Sequence, residues 1–206
     1  MMKHPLQLIA EENRAGKGTG IYSCCSSNPY VLRAAIRKAI RYDTPVLIES
    51  TANQVDQFGG YSGKTPEEFH AWVRELALEM GLPVKHLILG GDHLGPLTFA
   101  GRPEKEAMEL AGDLVYAYAK AGFTKIHLDT SMRVADDDPH ARLSDEVIAQ
   151  RGAELCVRSE QGFAELRKKD PEAQPPVYVI GSEVPIPGGE QEATSSVTPT
   201  EPEALE

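Results

Sequence analysis

Five times along the chain a short apolar run ends on polar residues suited to chemistry. The runs are Gly20-Ile21-Tyr22-Ser23 into Cys24-Cys25-Ser26, Pro45-Val46-Leu47-Ile48 into Glu49, and His86-Leu87-Ile88-Leu89 into Gly90-Gly91-Asp92-His93. Two more follow: Lys125-Ile126-His127-Leu128 into Asp129, and Val177-Tyr178-Val179-Ile180 into Gly181-Ser182-Glu183. Strands of a parallel sheet covered on both faces read as continuous apolar runs. Five such strands in one sheet would bring carboxylates, a histidine and hydroxyls to a single rim. That rim is where α/β barrels and open α/β sheets do their chemistry.

Helical patterns with ordinary punctuation separate the runs. Asn28-Pro29 supplies a cap and a first-turn proline ahead of Val31, Leu32, Ala35, Ile36 and Ile40 on one face. Thr65-Pro66-Glu67-Glu68 is a capping box opening a stripe of Phe69, Trp72, Val73, Leu76 and Met80, stopped by Gly81. Arg102-Pro103 precedes Met108, Ala111, Leu114, Val115 and Tyr118, stopped by Gly122, and Ser144 caps a helix carrying Val147, Ile148 and Leu155. The order is β-α four times and then a fifth strand, which implies a parallel sheet with right-handed crossovers. A flavodoxin-like open sheet also has five strands. Here, however, no glycine-rich phosphate loop follows the first strand, and every strand end carries a reactive group. The expected fold is therefore α/β of the (β/α)₈ TIM-barrel type, with about the first five strands and their helices present.

A complete barrel of this kind takes about 250 residues, and this chain has 206. Residues 1–189 are expected to form the N-terminal part of the barrel, and residues 190–206 a polar tail rich in Pro, Thr and Glu. The net charge of −10 comes mostly from the end of the chain, because no Lys or Arg follows Lys169. No basic patch suggests nucleic-acid binding, and no apolar stretch approaches the roughly 18–20 residues of a membrane span. Three cysteines, two of them adjacent, suit free thiols in a reducing cytoplasm better than a disulfide framework.

The sharpest constellation is Gly90-Gly91-Asp92-His93-Leu94-Gly95-Pro96. Adjacent strand residues point to opposite sides unless the strand breaks, which the glycines permit. A neutral imidazole is a good Zn²⁺ ligand, and a neighbouring carboxylate can shuttle a proton. The bland alternative is a polar loop in which Asp92 caps a turn. Glu49 and Asp129, the other strand-end acids, join Asp92 as candidate catalytic residues. Ser23, Asn53, Gln54, Gln57 and Ser131 are candidate substrate contacts, since hydroxyls and amides suit a polyol. His93 and Glu183 are the candidate metal ligands. His127, inside a strand run, is expected to be a hydrogen-bonded core histidine, and His4, His70 and His140 to lie on the surface. Asp136-Asp137-Asp138 reads as a solvated loop.

The stretches Gly20–Ser23, Thr44–Tyr61, Leu87–Pro96, Ala121–Asp129 and Tyr178–Gly189 resemble the GatZ/KbaZ family. These are accessory subunits of class II D-tagatose-1,6-bisphosphate aldolase. The resemblance implies a subunit that supports the activity and stability of a catalytic class II aldolase subunit, in galactitol or N-acetylgalactosamine breakdown. It also implies a sugar-phosphate ligand and an oligomer. Family members are about two domain-sizes long, so the chain matches their first half. A fainter likeness links it to the catalytic class II aldolases. It would make Asp92 the proton carrier, His93 a zinc ligand and Glu183, followed by Gly188-Gly189, a residue near the metal. Their other zinc histidines and phosphate loops lie on later strands, so Zn²⁺ is implied for the full-length protein, with an incomplete set of ligands here. The alternative is an enzyme in its own right, a metal-dependent sugar (phosphate) epimerase or aldolase.

Overall fold

The computed structural model describes residues 3–181. Glu183, Gly188, Gly189 and the tail expected over 190–206 lie outside the described residues. The elements run α1 (Pro5–Arg14), β1 (Ser23–Cys25), α2 (Pro29–Tyr42), β2 (Val46–Thr51), α3 (Pro66–Glu79), β3 (Leu87–Leu94), α4 (Glu104–Ala121), β4 (Lys125–Asp129), α5 (Asp145–Lys169) and β5 (Val177–Gly181). The five strands form one parallel sheet in the order β1-β2-β3-β4-β5. Among the described residues strand order never reverses, so they contain no switch point of the kind a doubly wound sheet requires. Every crossover advances the same way, which stacks the helices on one face of the sheet. The other face then becomes the concave interior of a barrel segment.

Alternation along the strands separates the two faces. Val46, Ile48, Leu89, Ile126 and Leu128 join Leu32, Ile36, Phe69, Val73, Leu114, Val115 and Leu155 in one core between sheet and helices. Burying each such side chain contributes roughly 1.5–3 kcal/mol. Tyr118 of α4 is fully buried there. Its hydroxyl lies 2.9 Å from Ser50 Oγ and donates to the Val55 carbonyl at 2.9 Å, which fastens the loop after β2 to the core. No described helix is long and apolar enough to cross a membrane.

Helix starts follow the sequence. Asn28 Oδ1 accepts from the Tyr30 and Val31 amides at 2.9 and 3.4 Å. Thr65 and Glu68 close a reciprocal capping box, and Ser144 Oγ accepts from the Val147 amide. Gly81 and Gly122 follow α3 and α4 at φ +82° and +97°, where a side chain would be strained.

Several expectations need correction. The first strand begins at Ser23 rather than Gly20, and the structure adds α1 ahead of it. His4 is buried, not a surface residue: its Nδ1 accepts from the Leu6 amide and caps α1, with Gln7 Oε1 accepting from the His4 amide. Burial holds its imidazole below the usual value, in keeping with an uncharged acceptor. His70 is half-buried against the Phe123 ring, while His140 is exposed as expected. On α2 the buried stripe is Leu32, Ala35, Ile36 and Ala39, and the flanking Val31 and Ile40 face outward.

The aspartate run after β4 is structural. Asp136 Oδ1 accepts from the Glu104 amide at 2.6 Å and caps α4, a role the sequence does not announce. Asp138 Oδ1 accepts from the His140 amide. Asp137 takes a two-pronged ion pair from buried Arg151 at 2.7 and 2.9 Å, and Arg151 Nε also donates to Glu104 at 2.8 Å. The guanidinium holds the Asp137 carboxyl below the usual carboxylate range. A lowered acid contributes stability that is complete above its unfolded value near 3.9 and is lost as pH falls through the folded value. Arg151→Met is therefore expected to cost about 3–5 kcal/mol at neutral pH, because it strands a carboxylate. Urea midpoints of the two proteins should converge below about pH 4; a gap independent of pH would contradict this pairing.

Candidate active site

The interior face carries charge in ordered layers. Glu49 of β2, Gly90 of β3 and Lys125 of β4 are register partners, with Cys25 of β1 beside Glu49. One layer up, Thr51 is level with Asp92. Lys125, His127 and Asp129 all belong to the interior face, since they alternate with the core residues Ile126 and Leu128.

Strand β3 does not stop at its glycines: it stays paired with β2 through Asp92 and runs to Leu94, and the irregularity lies on its β4 side. Pairing with β4 shifts register between Gly91 and Leu94, and His93 sits at φ +50°, a left-handed conformation costly for a non-glycine residue. The bulge puts Asp92 and His93 on the same side. Asp92 Oδ2 lies 3.1 Å from His93 Nδ1, and its Oδ1 lies 3.0 Å from His127 Nδ1 and 3.6 Å from Lys125 Nζ. The two imidazoles are tilted against each other with ring centres 4.4 Å apart.

His127 Nδ1 is also 3.3 Å from the His93 amide. One nitrogen cannot both donate to a carboxylate and accept from an amide, and the shorter contact to the charged oxygen favours Nδ1–H donating to Asp92. Nε2 then carries the lone pair. Both ring nitrogens of His93 and Nε2 of His127 are buried and have no hydrogen-bond partner among the described residues, although His93 Nδ1 stands at ion-pair distance from Asp92. Buried polar atoms in that state normally mark a missing partner. One potential ligand atom from each of Asp92, His93 and His127 lies within 4.8 Å of the others. A carboxylate-oriented imidazole, His127, beside a second imidazole with free nitrogens, His93, is a fitting donor set for Zn²⁺.

Burial works against ionisation of Asp92. The His127 hydrogen bond, the Lys125 charge and the His93 contacts outweigh it and hold the carboxyl well below the usual range. The same surroundings act oppositely on Cys25. Burial of the thiol first, then the Asp92 and Glu49 charges, push it up to about 12, although the residue as a whole is exposed.

The structure brings Glu49, Asp92 and His93 together, and adds Lys125 and His127. Asp129 ends β4 with Oδ1 accepting from the Ser131 amide at 3.0 Å and from the Ser131 hydroxyl at 2.6 Å, so these two residues hold each other. Gln54 is buried, its Oε1 accepting from the Thr51 amide at 2.8 Å, and Gln57 donates to the Leu110 carbonyl. Both amides are therefore engaged within the protein. Asn53 is exposed on the loop after β2. Ser23 pairs with Leu47, two layers below Asp92, and does not join the cluster. His127 is buried and hydrogen-bonded as expected, yet it also belongs to the site. Lys125 was not anticipated. The signal for both was the alternation Lys125-Ile-His127-Leu-Asp129: polar residues at every second position of a buried strand share one face.

A family model for the D-tagatose-1,6-bisphosphate aldolase subunit GatZ/KbaZ-like proteins matches residues 6–206. Among solved structures, the chain is similar to a probable tagatose 6 phosphate kinase from Sinorhizobium meliloti 1021, with 45% identity and a TM-score of 0.70. That match covers 80% of this chain and 39% of the other, so the chain spans well under half of that relative's length. The YdjI aldolase from Escherichia coli K12 is matched at 19% identity and a TM-score of 0.37, over 74% of this chain and 56% of that one, too loosely to carry an argument. With 201 of its residues under one family model and a close structural counterpart, the chain belongs to the GatZ/KbaZ-like family of D-tagatose-1,6-bisphosphate aldolase subunits.

Proposed function

We propose that the protein serves as an accessory subunit of a class II D-tagatose-1,6-bisphosphate aldolase, supporting the stability and activity of a catalytic partner that acts on a sugar phosphate. The family match over residues 6–206 carries this reading. The test is co-expression with a class II aldolase catalytic subunit. A complex that survives size-exclusion chromatography at micromolar concentration, with slower thermal inactivation of the partner, is expected; two independent peaks and unchanged inactivation would count against it.

A second reading has its own observation. The Asp92–His93–His127 group leaves three buried imidazole nitrogens without a hydrogen-bond partner, an arrangement that a purely supporting subunit has no physical need of. It favours a metal-dependent sugar (phosphate) epimerase or aldolase. Bound there, Zn²⁺ would polarise a carbonyl or hydroxyl of the sugar. His93 and His127 would hold the ion, with Glu183 proposed as a further ligand. Asp92, engaged by both imidazoles and Lys125, orients the rings, while Glu49 and Asp129 are the remaining interior acids available to a proton. Metal-dependent epimerisation of a ketohexose phosphate that vanishes in His93→Ala would support this second reading.

A further inference from the structure

Lys125 is a lysine at the start of a barrel strand, inside the sheet's concave face and nearly buried. Its side chain is 9% exposed and that of Glu49 is 2% exposed. Its ammonium is ion-paired with Glu49 Oε1 and stands 3.6 Å from Asp92 Oδ1. Glu49 and Lys125 lie on strands that do not touch each other, for β3 runs between them. They meet across Gly90, their common register partner. A Cβ at Gly90 would sit 2.7 Å from Glu49 Oε1 and 3.1 Å from both Glu49 Cγ and Lys125 Cδ. The absence of a side chain at Gly90 is therefore what lets the pair close over the middle strand.

The geometry also fixes what the pair supports. Asp92 Oδ1 is shared between the Lys125 ammonium and the His127 ring, while Oδ2 faces the His93 ring. Lys125 approaches from the layer below, level with Gly90. Without it, Asp92 would lose its lysine partner and keep the two rings and the Cys25 thiol. Two carboxylates against one ammonium also leave the layer formally short of one positive charge, a balance that favours a divalent cation above it.

We propose that Lys125 is a positioning residue: anchored by Glu49 through the gap at Gly90, it holds Asp92 in the rotamer that aligns His93 and His127. The rim's affinity for a divalent cation thus depends on a residue that does not touch the ion. This rests on the reading of the rim as a cation site.

The test compares Zn²⁺ affinity of the whole chain with that of two double variants at one fixed pH. Lys125→Met with Glu49→Met removes the pair together, so neither charge is stranded. Lys125→Gln with Glu49→Gln keeps a neutral, hydrogen-bonding pair of similar size and carries the test if the hydrocarbon pair unfolds the protein. A 10–100-fold loss of Zn²⁺ affinity is expected, the range for residues that orient metal ligands. The His127 Nδ1–H resonance should also lose the downfield shift of a carboxylate-bonded imidazole in ¹⁵N-edited spectra. A merely structural role would leave that signature in place. Unchanged affinity and resonance in a folded variant overturn the assignment of Lys125 while leaving the cation site standing. Failure of the unaltered chain to bind Zn²⁺ overturns the site itself.

Discussion

Gly95→Ala is expected to abolish stable folding or to lower the urea midpoint by more than about 1 M. Gly95 follows β3, where the chain turns away from the rim, and is buried. A Cβ there would lie 1.8 Å from the carbonyl oxygen of Asp129 and 2.9 Å from its carbon. Both are backbone atoms at the end of β4, so no rotamer change relieves the overlap. The strand ends would have to separate, disturbing the β3–β4 register that gathers Asp92, His93 and His127. Overpacking of this kind costs 1–3 kcal/mol when side chains can give way, and more when backbone must move. Against a typical total of 5–15 kcal/mol and a urea slope of 1–3 kcal/mol/M, such a loss is plain to see. Gly101→Ala is the control, since nothing lies within 4 Å of its added carbon. Equal midpoints for the two variants would show that β3 and β4 do not approach this closely.

His127→Ala is expected to reduce Zn²⁺ affinity by more than about 100-fold, comparably to His93→Ala, since loss of a ligand exceeds the 10–100-fold typical of residues that orient one. The expectation comes from the two unpartnered Nε2 atoms and from the Asp92 carboxylate turned to both rings. The two substitutions should not add. Once one imidazole is gone the site is already broken, so the double variant should bind no more weakly than either single one by more than a small factor. Titration calorimetry on the three variants checks this. Additive losses would place the imidazoles in separate environments.

Much of this arrangement was legible in the sequence because it follows from period and punctuation. The apolar runs became strands, and the caps at Asn28, Thr65 and Ser144 opened helices. The turn that sets His93 beside Asp92 falls on His93 itself rather than on the glycines before it. Interior chemistry was harder to read. In β4, polar and apolar residues alternate, yet the run looks like one continuous buried strand if only its hydrophobicity is weighed. Lys125 and His127 are visible as site residues only once the helices are known to lie on one face. Gln54 and Gln57 show the opposite limit. An amide suited to a sugar is equally suited to a backbone N–H or carbonyl, and only the three-dimensional path decides which it meets. The cap that Asp136 gives α4 joins positions 32 residues apart, a separation that no local pattern reports.

Three successive strands deliver Glu49, Asp92, His93, Lys125 and His127 to one interior face, where the Nε2 atoms of two imidazoles stand buried without a partner among the described residues. Histidine ¹⁵N NMR tests this arrangement most directly. Of the six histidines in the chain, two rings should be in the Nδ1–H form. On addition of one equivalent of Zn²⁺ those two alone should shift together at Nε2, and they should be lost in His93→Ala and His127→Ala respectively. Zinc that leaves both rings unmoved, or that shifts His93 without His127, would contradict the account.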